Sequence, residues 1–154
     1  MKLAMSDKLS FDPEKVILTE FKMLKGKVDT PEFFNSKSIK NFTVDNSLTL
    51  SFNIEKGLAK AEYSIDIESD SENLNQSESK GSFHFVFIYL IDNLDVLAVV
   101  DKNQRISLDP FLANALASIT YSTSRGILMM KLQGTALKNF ILPIINPSKL
   151  IAKS

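Results

Sequence analysis

Cysteine is absent from this chain, and histidine occurs once, as His84. Disulfides, cysteine-type zinc sites and thiol catalysis are therefore excluded, and the composition suits a reducing compartment. Charge of one sign is lacking too: eighteen basic and eighteen acidic residues cancel to a net charge of zero. No global field steers the chain onto phosphate backbones or anionic membranes, so neither nucleic-acid binding nor direct membrane insertion is expected. The five glycines are scattered and form no GxGxxG or phosphate loop, and no nucleotide or other cofactor is implied. Long apolar runs are missing: Leu3-Ala4-Met5 is far too short for a signal peptide, and residues 85–91 are too short to span a bilayer. These absences predict a cytoplasmic, soluble protein.

A chain of 154 residues fits one domain with a core that needs no staples. Residues 1–12 are polar and without period, and are expected to form a loose arm. Residues 16–28 alternate imperfectly and fit a first strand. In residues 40–54, Leu48, Leu50, Phe52 and Ile54 share one face while Thr49, Ser51 and Asn53 share the other, the period of a half-buried strand. Glu55-Lys56-Gly57 supplies turn chemistry, and residues 59–69 alternate again, with Ala61, Tyr63, Ile65 and Ile67 opposed to Glu62, Ser64, Asp66 and Glu68. Residues 70–81 have the composition of a solvated, mobile hairpin connection. Residues 82–91 follow, with Phe83, Phe85, Phe87 and Tyr89 on one face and Val86, Ile88 and Leu90 on the other. A strand apolar on both faces must be central or lie in an interface. Residues 94–108 form a mixed connector with a polar turn at Asp101-Lys102-Asn103-Gln104.

The stretch 109–147 carries the clearest signals. Asp109 suits a helix N-cap, and Pro110 the first helical position, where no N–H is missed. Phe111, Ala115, Ile119 and Leu112, Leu116 recur at helical spacing, and Gly126 after Arg125 offers a left-handed stop. Residues 127–132 then read as a short strand, 135–140 as a helical turn, and Pro143 and Pro147 enforce an extended path. The resulting order is α+β, an antiparallel sheet of about four strands with a long helix near the C-terminal third.

Two segments, ITYSTSRG at 119–126 and FILPIINP at 140–147, resemble the signature of SecB, the bacterial preprotein-export chaperone, and its SecB-like relatives. In that family a helix ends in Ser-Arg-Gly and an L-x-P-[VI]-N element follows, here Leu142 to Asn146. The chain departs by inserting residues 127–139 between the motifs, and by carrying Asp-Pro-Phe-Leu at 109–112 where the family has a Phe-Pro-Tyr-Ala-type run, the mark of a divergent member. The resemblance implies one SecB-like domain over residues 1–154 that assembles as a homotetramer, a dimer of dimers. It also implies a protein that is not an enzyme but an ATP-independent holdase, binding unfolded or precursor polypeptides in an apolar groove for delivery to the export ATPase SecA. The alternative is an interaction protein dedicated to one partner, such as the antitoxin of a toxin–antitoxin–chaperone system.

By position, the resemblance puts client contact on the connector and helix start, Leu97, Val99, Ile106, Leu108 and Phe111, and on Phe140 and Leu142 in the tail. Each of these also reads as an ordinary core or interface residue. Glu62, Asp66 and Glu68, two apart on one strand face, form an acidic row. In the family such a face docks the cationic zinc-bearing tail of SecA; the bland reading is a solvated strand. His84, without a second histidine or any cysteine nearby, reads as structural rather than as ligand or base. Arg125 reads as a cation that complements the helix C-terminus.

Overall fold

The structure, a computed structural model, describes residues 10–151. The expected loose arm therefore lies mostly outside the described residues. Its last part is held: Asp12 caps a short 3-10 turn at Pro13–Lys15 through Glu14 N, and Asn93 Nδ2 donates to Ser10 O at 3.3 Å.

Four long strands form one antiparallel sheet: β1 (Val16–Asp29), β2 (Ile39–Asn53), β3 (Leu58–Ser71) and β4 (Lys80–Ile91), in the spatial order β1-β4-β3-β2. The both-faced apolar strand β4 is an inner strand, one of the two places its pattern allows. The chain then makes a short helix α1 (Leu94–Leu97), a small hairpin of β5 (Ala98–Val100) and β6 (Ile106–Leu108), the long helix α2 (Pro110–Lys131) and a terminal turn of helix, α3 (Ser148–Ile151). The expected α+β architecture is the observed one.

Register fixes which residues face the helix. Tyr63 pairs with Phe85 and Leu48, and Ala61 with Phe87 and Leu50, so odd residues of β3 and β4 and even residues of β2 share the helix-facing side. Those side chains are the core: Leu48, Ala61, Tyr63, Phe85 and Phe87 are fully buried beneath Leu112, Leu116, Ala117, Tyr121 and Leu128 of α2. Across the opposite side run rows that grade from Ile17–Leu90–Leu58 at the β2–β3 turn to Asp29–Lys80–Glu68 at the far end.

Two sequence expectations fail at the helix. Gly126 does not stop α2, and residues 127–131 continue it instead of forming a strand. A glycine in a helix interior costs about 1 kcal/mol, but continuing for two turns buries Leu128 and Leu132 completely, which is worth roughly 1.5–3 kcal/mol each. Burial wins. The left-handed stop falls eight residues later, at Gly134 with φ +77°.

The polar connection between β3 and β4 is mostly exposed, as its composition leads one to expect, but two of its side chains are tied down. Glu78 accepts from Ser69 Oγ, Ser71 N and Ser71 Oγ at 2.6–3.0 Å, and Gln76 Nε2 reaches Ser71 Oγ, Ser38 Oγ and Asn35 O. Gln76 thereby ties the β1–β2 and β3–β4 connections together, while Glu78 anchors the connection to the end of β3.

Candidate functional site

The docking of α2 on the sheet sets what is covered and what is left open. Asp109 Oδ2 accepts from the N–H groups of Phe111 and Leu112 at 3.0 and 3.1 Å, which starts the helix where the sequence places it. Midway, Thr120 Oγ1 and the Tyr89 hydroxyl share a buried hydrogen bond of 2.8 Å, and Tyr121 meets Tyr63 edge to face at 5.7 Å. Burial pushes the phenols of Tyr63, Tyr89 and Tyr121 above the ordinary tyrosine value, so all three remain neutral hydrogen-bonding groups.

On the β2 side of the helix, the tail is clamped. Tyr121 OH and Arg125 Nη2 both donate to Pro143 O, and Arg125 Nε donates to Leu142 O. Arg125 thus holds an extended segment by its backbone while stacking over the Tyr121 ring at 5.3 Å, a role that the dipole reading of the sequence missed. Phe140 packs edge-on against Phe42 at 5.4 Å, and Phe140 and Leu142 are 6% and 2% exposed.

On the β1 side nothing among the described residues does the same. Leu18 pairs with Tyr89, Phe21 with Phe87 and Met23 with Phe85, so these β1 side chains point to the helix-facing side. Yet they are 44%, 41% and 39% exposed. Phe21 lies 5.1 and 5.7 Å from the rings of Phe87 and Phe85 and forms the floor of an open apolar trough. At 100° per residue, Ile119 and Met130 fall on the side of α2 away from Arg125, close to the line of Gly126, and both are exposed. Beside it, β1 is an outermost strand of the sheet, with one row of backbone donors and acceptors outside the ladder. The trough is an apolar floor next to a free strand edge.

These β1 residues escaped the sequence reading because two register shifts, between Leu18 and Glu20 and between Met23 and Lys25, break the alternation. A strand whose period fails twice while its apolar content stays high is the signal that was available.

The residues singled out from sequence do not form one patch. Leu97, Phe140 and Leu142 are buried in the core and Leu108 is half-buried, while Val99, Ile106 and Phe111 are 54%, 43% and 73% exposed around the β5–β6 hairpin and helix start. Glu62, Asp66 and Glu68 do share the sheet face opposite α2, joined there by Asp45 across from Asp66. Cations are interleaved with them: Lys60 Nζ and His84 Nε2 lie 3.9 and 3.7 Å from Glu62, and Lys80 pairs in register with Glu68. His84 is half-buried beside that carboxylate. Among the described residues no cluster of His, Cys, Asp and Glu could hold a metal ion, and no helix is long and apolar enough to cross a membrane.

No protein-family model matches the chain, and no curated protein matches its sequence. The fold is matched by the structure of the SecB-like chaperone Rv1957 of Mycobacterium tuberculosis in complex with a ChAD peptide from the Rv1956 HigA1 antitoxin. The TM-score is 0.61 at 10% identity, over 86% of this chain and 91% of that one. The chain has a SecB-like fold. A protein of unknown function from Streptococcus agalactiae, with a TM-score of 0.35 at 13% identity over 84% of this chain and 97% of that one, is too distant to bear on the reading.

Proposed function

We propose that this chain is a SecB-like polypeptide-holding protein that binds an extended stretch of a partner without ATP, and that it is dedicated to one partner, such as the antitoxin of a toxin–antitoxin–chaperone system. The observation that carries the reading is the open trough of Leu18, Phe21 and Met23 beside the free β1 edge. An extended segment laid there satisfies its backbone on the edge and buries alternate side chains on the floor, a mode that needs no fixed sequence. Val99, Ile106 and Phe111 offer a further exposed apolar surface at the helix start, whereas the buried Leu97, Phe140 and Leu142 and the half-buried Leu108 serve the core. The SecB-like neighbour holding an antitoxin peptide favours the dedicated reading over a general export holdase.

Energetics point to modest affinity per segment. Burying about 500 Å² of apolar partner surface yields on the order of 12 kcal/mol gross, and ordering about ten residues costs on the order of 10 kcal/mol or more. Several segments engaged by one oligomer raise the apparent affinity through effective concentration. A cytoplasmic homotetramer built as a dimer of dimers supplies that multiplicity. The outward line of α2, where Ser122, Gly126 and Met129 are exposed and none is charged, is the surface offered to further subunits. Delivery to SecA through Glu62, Asp66 and Glu68 has weaker support, because Lys60, Lys80 and His84 dilute the row.

Two assays on the purified chain test the reading. Without ATP, a chemically unfolded unrelated protein should still aggregate in its presence, whereas one small co-expressed partner should be kept soluble in a stoichiometric complex. Protection of the unrelated protein would restore the general holdase, and failure to hold any polypeptide would reject both.

A further inference from the structure

A second surface stands apart from the trough, at the end of the sheet where β4 runs out. The 3-10 turn before β1 and the β2–β3 turn face each other across that end and enclose a cleft of about 680 Å³. Its floor is aliphatic: Ile17, Ile54, Leu90 and Leu94 line it, with Ile17 and Leu90 54% and 40% exposed. Ile17 and Leu90 are cross-strand neighbours, and Leu58 continues their row. Both walls are tied to β4: Asp92 N donates to Lys15 O at 3.2 Å, and Ile91 N donates to Gly57 O at 2.8 Å. At φ +70°, with a Cβ position 3.0 Å from Ile91 O, Gly57 is the residue that lets this second wall close. The cleft is thus preformed.

Its rim is charged and out of balance. Glu14, Glu55, Asp92 and Asp95 stand against Lys15 and Lys56, an excess of two negative charges in a chain whose net charge is zero. None of the four carboxylates takes part in an ion pair among the described residues; those pairs lie on β1, β3 and β4 elsewhere. An apolar floor under uncompensated carboxylates matches a ligand with an apolar centre and cationic flanks. Alternate side chains of an extended peptide project to opposite sides, so a basic–apolar–basic run can seat the apolar group while its neighbours reach the rim. The volume falls within the range of small-ligand sites and holds a few residues of such a peptide.

We infer that this cleft is a docking site for a short basic segment of a partner protein carrying a leucine-sized apolar anchor between lysines or arginines. The site is distinct from the trough, so one subunit can hold an extended polypeptide and a second partner together.

Fluorescence anisotropy of the full chain with a labelled Gly-Lys-Leu-Lys-Leu-Lys peptide tests this, with Gly-Glu-Leu-Glu-Leu-Glu as the charge-reversed probe. The basic peptide should bind, the acidic one should not, and affinity should fall as salt rises. Combined Glu55→Lys, Asp92→Lys and Asp95→Lys should weaken binding at least about tenfold, as should combined Ile17→Ser and Leu90→Ser, with circular dichroism melts confirming that both fold. Phe21→Ser, on the other face, should leave this binding unchanged. Equal binding of the two peptides, or of the basic peptide to the charge-reversed variant, would overturn the proposal. So would a chain lacking residues 1–9 that binds the basic peptide much more tightly than the full chain, because the occupant would then be that segment.

Discussion

Replacing Gly126 by alanine separates two accounts of the C-terminal third, and they differ in sign. Read from sequence, Gly126 is the left-handed stop of a helix, and a Cβ there costs roughly 1–2 kcal/mol of stability. In the structure it lies inside α2, five residues short of the helix end at Lys131, without positive φ and with nothing within 4 Å of the place a Cβ would take. Alanine then removes only the helix-interior penalty of glycine, about 0.8–1.0 kcal/mol, and adds no clash. For a chain of this length, that gain raises Tm by about 2–4 °C. Urea and thermal denaturation of G126A against the parent chain measure it. A loss of stability would refute the continuous helix and the burial of Leu128 and Leu132 that it provides.

Three further outcomes follow from named contacts. Thr120→Val leaves the Tyr89 hydroxyl buried without its 2.8 Å partner and should cost about 1–3 kcal/mol, while Thr120→Val with Tyr89→Phe costs less than the sum of the singles; a strictly additive denaturation cycle would contradict the seating of α2. Asp109→Ala removes the cap from two N–H groups and should cost about 1 kcal/mol in chemical denaturation; no change would contradict the cap. Hydrogen bonds from the Ser71 hydroxyl hold the Glu78 carboxyl below its usual value. A depressed folded-state pKa means that its contribution is present at neutral pH and lost as pH falls through that pKa. Glu78→Gln should therefore destabilise at pH 7, with the gap to the parent chain closing on acidification, and a gap independent of pH would contradict the assignment.

What the sequence made legible is what local chemistry dictates. Strict alternation located β2, β3 and β4, the two apolar faces of β4 fitted an inner strand, and Asp109-Pro110 marked the start of α2 to the residue. What stayed hidden depends on tertiary payoff. Gly126 looks like a stop until the burial of Leu128 and Leu132 is known. Phe140 and Leu142 read equally as partner contacts or as core until Tyr121 and Arg125 are seen to clamp the backbone beside them. The trough was hidden by two bulges in β1, each of which moves later side chains to the other face.

Hydrogen–deuterium exchange on β1, with and without a bound polypeptide, tests the central claim most directly. Amides on the free edge of β1 should exchange faster than those of β4 in the chain alone and slow sharply when the partner is held, with Phe21→Ser and Met23→Ser together abolishing the change. Edge amides as protected as β4 before any partner is added, or unaltered by a polypeptide that demonstrably binds, would contradict it.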